Sequence, residues 1–340
     1  MEIGALACLS ALCGTAGCAP DLSSEDQADE STSEETSNSI TVFAFDTVVT
    51  ISASCSMGTV NRAIDRCYRF ESLFSRTIPE SDIGRINAAK GMPVEVDSDT
   101  ASIIEKALGY SRETNGLFDI TIGSVSSLWD FKQGIVPKEE DIAEAVGHVG
   151  FRNIEIEGNT VTLLDPDAKL DLGGIAKGYI ADDPACFFAR EGCQSACINL
   201  GGTIRTVGTK QDGTPWRIGV QDPFGGTGEI VASYDLVDYS LVTSSLTERQ
   251  FTKDGRKYWH ILDPRTGYPA QTDIVSASIV SPLGIDGEGY TKALFLMDPN
   301  DSIKLIEQVP DAEALLVGST GSTFRTSGLS KGSFKGTETS

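Results

Sequence analysis

The stretch that most constrains this chain is residues 171–182, Asp-Leu-Gly-Gly-Ile-Ala-Lys-Gly-Tyr-Ile-Ala-Asp. Residues 169–172 predict a short apolar strand that runs into two glycines and then into a pattern with helical spacing. Glycine lets a backbone approach a ligand closely, and the unpaired N–H groups of a first helical turn favour an anion. Asp171 and Lys177 flank this corner with opposite charges. The pattern predicts an anion-binding corner, although a Gly-Gly pair alone is also typical of an ordinary tight turn.

A second glycine corner follows at residues 198–203, Ile-Asn-Leu-Gly-Gly-Thr. It repeats the arrangement of the first corner, with an apolar strand that enters a Gly-Gly turn. Two such corners close together in one chain predict that both contribute to the floor of one pocket.

The charge of the chain excludes some classes of partner. Its 340 residues include 27 basic and 49 acidic side chains, which give a net charge of −22. A chain this acidic repels nucleic acid and anionic lipid surfaces, so we expect no nucleic-acid partner. Part of the excess lies in residues 18–40, which are rich in acidic residues, Ser and Thr and contain no Lys or Arg. This composition predicts a disordered tether.

An export signal is predicted before the tether. Residues 1–17 contain a short apolar run that is typical of a signal peptide, and residues 15–18, Thr-Ala-Gly-Cys, resemble a bacterial lipobox. Thr15 stands where Leu is usual, and Glu2 stands where a basic residue is expected. Despite these two departures, the pattern predicts a lipid anchor at Cys18 on the extracytoplasmic face of the cell membrane. The alternative is an ordinary buried N-terminal segment.

The cysteines do not define a disulfide framework. Of eight, five lie beyond the tether, at positions 55, 67, 186, 193 and 197. An odd number leaves at least one unpaired. The spacing of the last three matches no familiar zinc pattern and favours buried apolar cysteines, while a Cys193–Cys197 disulfide remains open.

The periodicity favours an α+β fold with mixed and antiparallel sheets and packed helices, as a single large domain over residues 41–328 with a tail at 329–340. Helices are predicted near residues 60–74, 81–87, 100–114, 285–297 and 302–309. Strands are predicted at residues 43–52, in a hairpin at 154–163, through most of 196–280, and as a last pair at 314–317 and 322–326. Pro184 either kinks the helix after the first glycine corner or begins a new one.

Several motifs occur in an order that resembles one family. They are residues 45–47 (Phe-Asp-Thr), the Ser and Asn residues of 75–87, residues 116–123 (Gly-Leu-Phe-Asp-Ile-Thr-Ile-Gly) with Leu128-Trp129, the two glycine corners, and residues 260–267 (His-Ile-Leu-Asp-Pro-Arg-Thr-Gly). Together they resemble the FAD:protein FMN transferases, the ApbE-like flavin transferases. The likeness extends from residue 43 to about residue 326.

The resemblance implies an extracytoplasmic, Mg²⁺-dependent enzyme. Such an enzyme splits FAD at its pyrophosphate, transfers FMN to a Thr or Ser hydroxyl of an acceptor flavoprotein and releases AMP. His260 would hold the phosphate side of the pocket or tune the acceptor's proton. By similarity, the residues expected to line the FAD site are Phe45, Thr77, Leu117, Phe118, Asp119, Asp171, Lys177 and Leu262.

The expected metal site departs from the family pattern, which places a carboxylate and a Thr hydroxyl one helical turn apart. Glu288 falls on the carboxylate position and Lys292 on the usual Thr, and the carbonyl ligand would come from Gly174. A protonated lysine cannot ligate a cation. Either Thr291 turns inward instead, or Lys292 stands beside the diphosphate as a fixed charge. A register shifted by one residue would recruit Gly287 and Thr291, and a solvated Lys292 is a further alternative.

Two other functions remain open from the sequence. One is a non-catalytic, FAD-binding lipoprotein whose metal site has been lost through the Glu288 and Lys292 changes. The other is a Mg²⁺-dependent FAD pyrophosphatase that releases FMN and AMP to water.

Overall fold

This computed structural model describes residues 37–329. The expected signal peptide, the lipid anchor at Cys18, most of the expected tether and nearly all of the tail lie outside these residues. The first strand begins at Asn38, so the last residues assigned to the tether are part of the sheet.

The described residues form fifteen strands and eight α-helices. The strands are β1 (Asn38–Ala44), β2 (Thr47–Ala53), β3 (Val94–Glu95), β4 (Ile154–Glu157), β5 (Thr160–Leu163), β6 (Ser195–Leu200), β7 (Thr203–Gly208), β8 (Trp216–Gln221), β9 (Ile230–Leu236), β10 (Ser240–Ser245), β11 (Gln250–Lys253), β12 (Arg256–Trp259), β13 (Ile274–Ser281), β14 (Glu313–Gly318) and β15 (Thr323–Arg325). The helices are α1 (Met57–Phe74), α2 (Asp82–Ala88), α3 (Ser98–Glu113), α4 (Gly123–Ser126), α5 (Glu139–Val146), α6 (Ala176–Arg190), α7 (Gly284–Leu294) and α8 (Pro299–Ile306).

One eight-stranded sheet organises the molecule. Its strand order is β1-β2-β6-β7-β10-β13-β14-β15, and each neighbouring pair is antiparallel. Helices α1, α6 and α7 pack on one face, and the β8–β9 hairpin packs on the other around Trp216, Tyr234 and Leu241. The α+β prediction is confirmed, with the large apolar core between the sheet and the three helices.

Two predicted strands differ from the structure. The strand expected at residues 43–52 is the β1–β2 hairpin, because Phe45 and Asp46 both adopt left-handed backbone conformations, with φ of 54° and 58°. The strand expected at 169–172 forms no ladder, and its one bridge is parallel, between Ile122 and Lys169. The segment is extended but is held mainly by side chains, since Leu170 N–H donates to Asn87 Oδ1 at 2.6 Å.

The other predicted elements are present with small shifts in their ends. Helix α3 stops where Asn115 and Gly116 turn left-handed, as the Asn-Gly signal predicts. Pro184 lies inside α6, which continues to Arg190, so the alternative in which it begins a new helix is wrong. Among the described residues, no helix combines the length and the apolarity needed to cross a membrane.

A disulfide joins Cys55 to Cys193 across 138 residues of chain, with 5.5 Å between their Cα atoms. It connects the end of β2 to the turn before β6, two strands that already pair. The Cys193–Cys197 pairing that the sequence left open is therefore not the one formed. Cys67 is buried in the core and Cys186 is exposed, and neither forms a disulfide.

Candidate functional site

The two glycine corners and helix α7 meet at Lys177. Lys177 lies in the first turn of α6, directly after the first corner, and its Nζ donates to the carbonyl oxygen of Gly201 in the second corner at 3.3 Å. The same Nζ lies 3.5 Å from Oε1 of Glu288 on α7. The prediction that the corners share one pocket floor agrees with this contact, and the carboxylate expected at the site lies there too.

Glu288 has partners on both carboxylate oxygens. Glu288 is fully buried. Thr203, which directly follows the second corner, donates its hydroxyl to Oε1 at 2.5 Å. Oε2 forms an ion pair with Lys292 Nζ, one helical turn further along α7. The carboxylate is thus surrounded by one hydroxyl and two ammonium groups.

Helix α7 lies unusually close to its neighbours because of its glycines. A Cβ on Gly178 of α6 would overlap the Gly284 carbonyl group and lie 2.6 Å from the Cα of Ile285. Asp182 of α6 accepts hydrogen bonds from the N–H groups of Gly284 at 2.7 Å and Ile285 at 3.0 Å, and so caps α7 from outside. Burial raises the pKa of Asp182 to about 6. This close pairing of α6 and α7 brings Lys177 within reach of Glu288.

Thr291 does not face the Glu288 carboxylate. It is fully buried, and its Oγ1 accepts a hydrogen bond from Ser244 of β10 at 3.0 Å. Its remaining contact is with the backbone carbonyl of Glu288, at 3.5 Å. The alternative in which Thr291 turns inward to replace the missing hydroxyl is therefore not the arrangement observed.

His260 follows β12 and is positioned through Arg249. Its N–H donates to the Arg249 carbonyl at 3.1 Å, and its Nδ1 is buried without a hydrogen-bond partner among the described residues. Burial, followed by the positive charges of Arg249, Lys292 and Lys177, lowers the pKa of His260 to about 3. The imidazole is therefore neutral at physiological pH and offers a polar atom that no described group satisfies.

The β1–β2 turn reaches the same region. Asp46 forms ion pairs with Arg249 at 3.3 Å and Lys132 at 2.8 Å. A Cβ on Gly201, whose φ is 57°, would overlap the side chain of Thr47. The half-buried Phe45 occupies this turn, next to the second glycine corner and to the residue that positions His260.

Asp171 holds the first corner together. Its carboxylate accepts hydrogen bonds from Gly173 N–H at 2.9 Å and Ser126 Oγ at 2.7 Å, and Arg76 Nε lies 3.2 Å away. Arg76 also lines an open cavity of about 260 Å³ with Asn87 and Lys169. Asp171 remains partly accessible, so it can still accept a hydrogen bond from a ligand.

The remaining predicted residues occupy different environments. Phe118 is buried, and a Cβ on Gly174 would lie 3.4 Å from its ring, which places both at the first corner. Leu117 is half-buried beside it and Thr77 is exposed. Leu262 packs in an apolar cluster with Val125 and Trp129.

Asp119 has a structural environment. Its buried carboxylate accepts hydrogen bonds from the Thr121 hydroxyl at 2.6 Å, from Thr121 N–H and from Phe151 N–H. Burial raises the pKa of Asp119, and these three donors oppose the shift. Its direct bonds connect the loop after α3 to the segment before β4.

Sequence reasoning missed three partners of the site: Thr203, Arg249 and Arg76. Thr203 carried a signal, because it is the first residue after the second Gly-Gly pair. Arg249 and Arg76 carried none, since each meets its partner through tertiary packing from a distant part of the chain.

The residues at Glu288 do not fit a divalent cation as they are arranged. Mg²⁺ is bound through carboxylate, carbonyl or water oxygens in near-octahedral geometry. Here Lys292 occupies Oε2, while Thr203 and Lys177 approach Oε1. The donor set contains two ammonium groups, which offer hydrogens rather than lone pairs.

The comparisons with known proteins agree with this architecture. A family model described as ApbE family matches residues 39–316. An FAD:protein FMN transferase of Treponema pallidum is 32% identical over 265 residues, which is 73% of each chain. One from Klebsiella pneumoniae is 32% identical over 262 residues, covering 76% of this chain and 81% of the relative.

Solved structures show the same fold. The crystal structure of the ApbE protein from Thermotoga maritima superposes with a TM-score of 0.79 at 31% identity, covering 86% of this chain and 97% of the other. The flavin transferase ApbE from Vibrio cholerae has a TM-score of 0.76 at 23% identity, over 86% of this chain and 98% of the other. The chain described here belongs to the ApbE family.

Proposed function

We propose that this protein is an FAD:protein FMN transferase, which cleaves FAD and attaches FMN to a Thr or Ser hydroxyl of an acceptor flavoprotein. The observation that carries the proposal is the meeting of both glycine corners with α7 at Lys177, 3.3 Å from Gly201 O and 3.5 Å from Glu288. This arrangement places a cation beside two backbone turns at a partly accessible position, as a diphosphate requires. The activity in the names of the relatives supports the same reaction.

In the proposed reaction the acceptor oxygen attacks the phosphorus on the FMN side of the diphosphate. A new P–O bond joins FMN to the acceptor, the bond to the bridging oxygen breaks, and AMP leaves with the bonding electrons. The hydroxyl proton passes to a base or to water. Lys177 would bind the diphosphate oxygens. Once their negative charge raises the low pKa of His260, its Nδ1 would accept or relay the proton.

We further propose that the protein acts on the extracytoplasmic face of the membrane, anchored through Cys18. The lipobox-like residues 15–18 motivate this location. The Cys55–Cys193 disulfide supports it, because disulfides persist in oxidising compartments and are rare in the cytosol. The proposed reaction uses no magnesium ion, although the resemblance implies one, because Lys292, Lys177 and Thr203 already engage the Glu288 carboxylate.

The test is an incubation of residues 37–340 with FAD and an acceptor peptide that carries Asp-x-x-Ser/Thr-Gly-Ala-Thr, the acceptor pattern that the family resemblance implies. We expect flavin fluorescence to migrate covalently with the peptide in a denaturing gel, and AMP to be released in equal amount. A peptide with Ala at the acceptor Ser/Thr and at the final Thr is the matched control and should stay unlabelled.

Other outcomes separate the alternatives. AMP without labelled peptide would indicate a pyrophosphatase, and bound but intact FAD would indicate a carrier. A domain that is folded by circular dichroism and yet shows no affinity for FAD would contradict all three functions.

A further inference from the structure

Lys292 occupies the position at Glu288 where the family pattern expects a metal ligand. It lies one turn after Glu288 on α7, and its Nζ contacts Oε2 directly. The side chains of Glu288 and Lys292 are 1% and 20% exposed, so the pair is shielded from bulk water while the ammonium keeps some access to the pocket. The pair is therefore a shielded ion pair. A solvent-exposed salt bridge would contribute little to stability.

A cation that bound Glu288 would have to displace this ammonium. Removing one partner of a buried ion pair is strongly unfavourable, because the other charge is left uncompensated. Among the described residues, Lys292 forms no ion pair with a second carboxylate, and Glu248 acts on it only at longer range. Lys177 adds to the cost, because it places another positive charge 3.5 Å from Oε1.

The hydroxyl that could complete a metal site is also absent from the pocket. Thr291 is turned towards Ser244 and is fully buried against β10. Thr203 reaches Glu288, but as a hydrogen-bond donor to Oε1. The cluster at Glu288 therefore consists of this acid, two lysines and a donated hydroxyl. Burial lowers the pKa of Lys177 and Lys292, and the negative charge of Glu248 opposes this shift at both.

We propose that the Lys292 ammonium takes the place of a divalent cation at Glu288, so that Lys177 and Lys292 together bind the FAD diphosphate in this protein without Mg²⁺. This inference rests on the proposed function and concerns how the same site recognises its substrate. Glu288 holds Lys292 in place and Thr203 holds Glu288, which makes both of them positioning residues.

The ammonium groups can neutralise charge on the diphosphate while the P–O bond breaks. Each offers N–H donors to phosphate oxygens, which is the ordinary role of a lysine in a phosphate site. The covalent balance of the transfer is unchanged: the acceptor oxygen still bonds to phosphorus and AMP still leaves. The difference from a metal site is that the positive charge belongs to the chain and cannot be removed by a chelator.

The experiment compares wild type with Lys292→Thr and Lys292→Met. The threonine variant frees Oε2 and restores a hydroxyl one turn from the carboxylate. The methionine variant removes the charge at similar length and adds no ligand. Three quantities are measured at neutral pH for each: Mg²⁺ binding to the protein alone by calorimetry, FAD affinity by quenching of flavin fluorescence, and peptide flavinylation, the last two with EDTA or with Mg²⁺.

For wild type we expect no heat of Mg²⁺ binding at millimolar concentrations, and equal FAD affinity and transfer in EDTA and Mg²⁺. Lys292→Thr should weaken FAD binding in EDTA by about tenfold, the loss of one charge-assisted contact, and should recover part of it with Mg²⁺. Lys292→Met should show the same loss without recovery. Circular dichroism and thermal melts verify that the variants are folded.

The inference is overturned if wild type binds Mg²⁺ tightly, or if EDTA removes its FAD binding or transfer. It is also overturned if both variants bind FAD in EDTA as well as wild type does. If no protein flavinylates the peptide under any condition, the proposed function fails, but calorimetry on the protein alone still decides whether Lys292 excludes the cation.

Discussion

At the scale of the residue, the buried imidazole of His260 gives the clearest electrostatic prediction. The ring is buried, and the positive charges of Arg249, Lys292 and Lys177 lie near it. Burial first, and these charges second, lower the pKa of His260 to about 3. An unfolded histidine titrates near pH ~6.5. Between these values the unfolded chain binds a proton that the native chain does not, so this residue makes the fold less stable as the pH falls through that interval.

We expect the His260 ring to remain neutral from pH 9 down to pH 5. The chain has only two histidines, so the ring signals in an NMR spectrum can be assigned with a His148→Gln variant. The chemical shifts of His260 should stay constant over this range. Saturating FAD should raise the pKa of His260, because a bound diphosphate supplies negative charge beside it. A midpoint between pH 6 and 7 in the free protein would contradict the proposed burial.

The sequence identified the charged members of the site better than their partners. Asp171 and Lys177 could be predicted because they flank the first glycine corner, and Glu288 because the family resemblance aligns it with a carboxylate position. Arg249 and Arg76 act through contacts between distant segments, which periodicity does not encode. Thr203 was missed although it directly follows the second Gly-Gly pair. Asp119 fits the family motif, but its carboxylate already accepts three hydrogen bonds from within the protein. Only the packing reveals these bonds.

At the scale of the element, helix α7 determines where the site forms. Gly287 faces Val242 of β10 and Gly289 faces Tyr110 of α3, so the helix is set into the core on several sides. The existence of α7 could be predicted from its spacing, but its depth in the core could not. Similarly, the β1–β2 turn was missed because left-handed Phe45 and Asp46 carry no glycine signal.

Substituting Gly178 with Ala should damage both stability and the site. The added Cβ would overlap the Gly284 carbonyl and force α6 away from α7, which separates Lys177 from Glu288. We expect a loss of about 1–3 kcal/mol in the free energy of unfolding, as for other overpacked positions, together with weaker FAD binding. Urea denaturation and fluorescence titration measure the two effects.

Gly109→Ala is the matched control for this substitution. Gly109 lies within α3, and a Cβ there would meet no atom within 4 Å. Ala is favoured over Gly in a helix by about 1 kcal/mol, so this variant should be neutral or slightly more stable and should bind FAD normally. Equal behaviour of the two variants would show that the α6–α7 contact does not position Lys177.

At the scale of the whole molecule, the disulfide connects the two ends of a long loop. Cys55 and Cys193 are 138 residues apart, and the segment between them contains the first glycine corner and α6. A cross-link of this length removes much of the conformational freedom of the unfolded chain, by about 5 kcal/mol in the chain-entropy model. Its position could not be predicted, because an odd set of cysteines allows many pairings.

A Cys55→Ser/Cys193→Ser variant should therefore unfold more easily than the oxidised wild type. We expect a loss of about 2–4 kcal/mol, less than the full entropic value because real unfolded chains retain some structure. Cys186→Ser, at an exposed cysteine outside the disulfide, is the control and should unfold like wild type. Urea denaturation of the three proteins, with and without dithiothreitol, measures the difference. Reductant should lower the free energy of unfolding of wild type to that of the double variant. An oxidised wild type that unfolds at the same urea concentration as the double variant would show that the cross-link does not stabilise the fold.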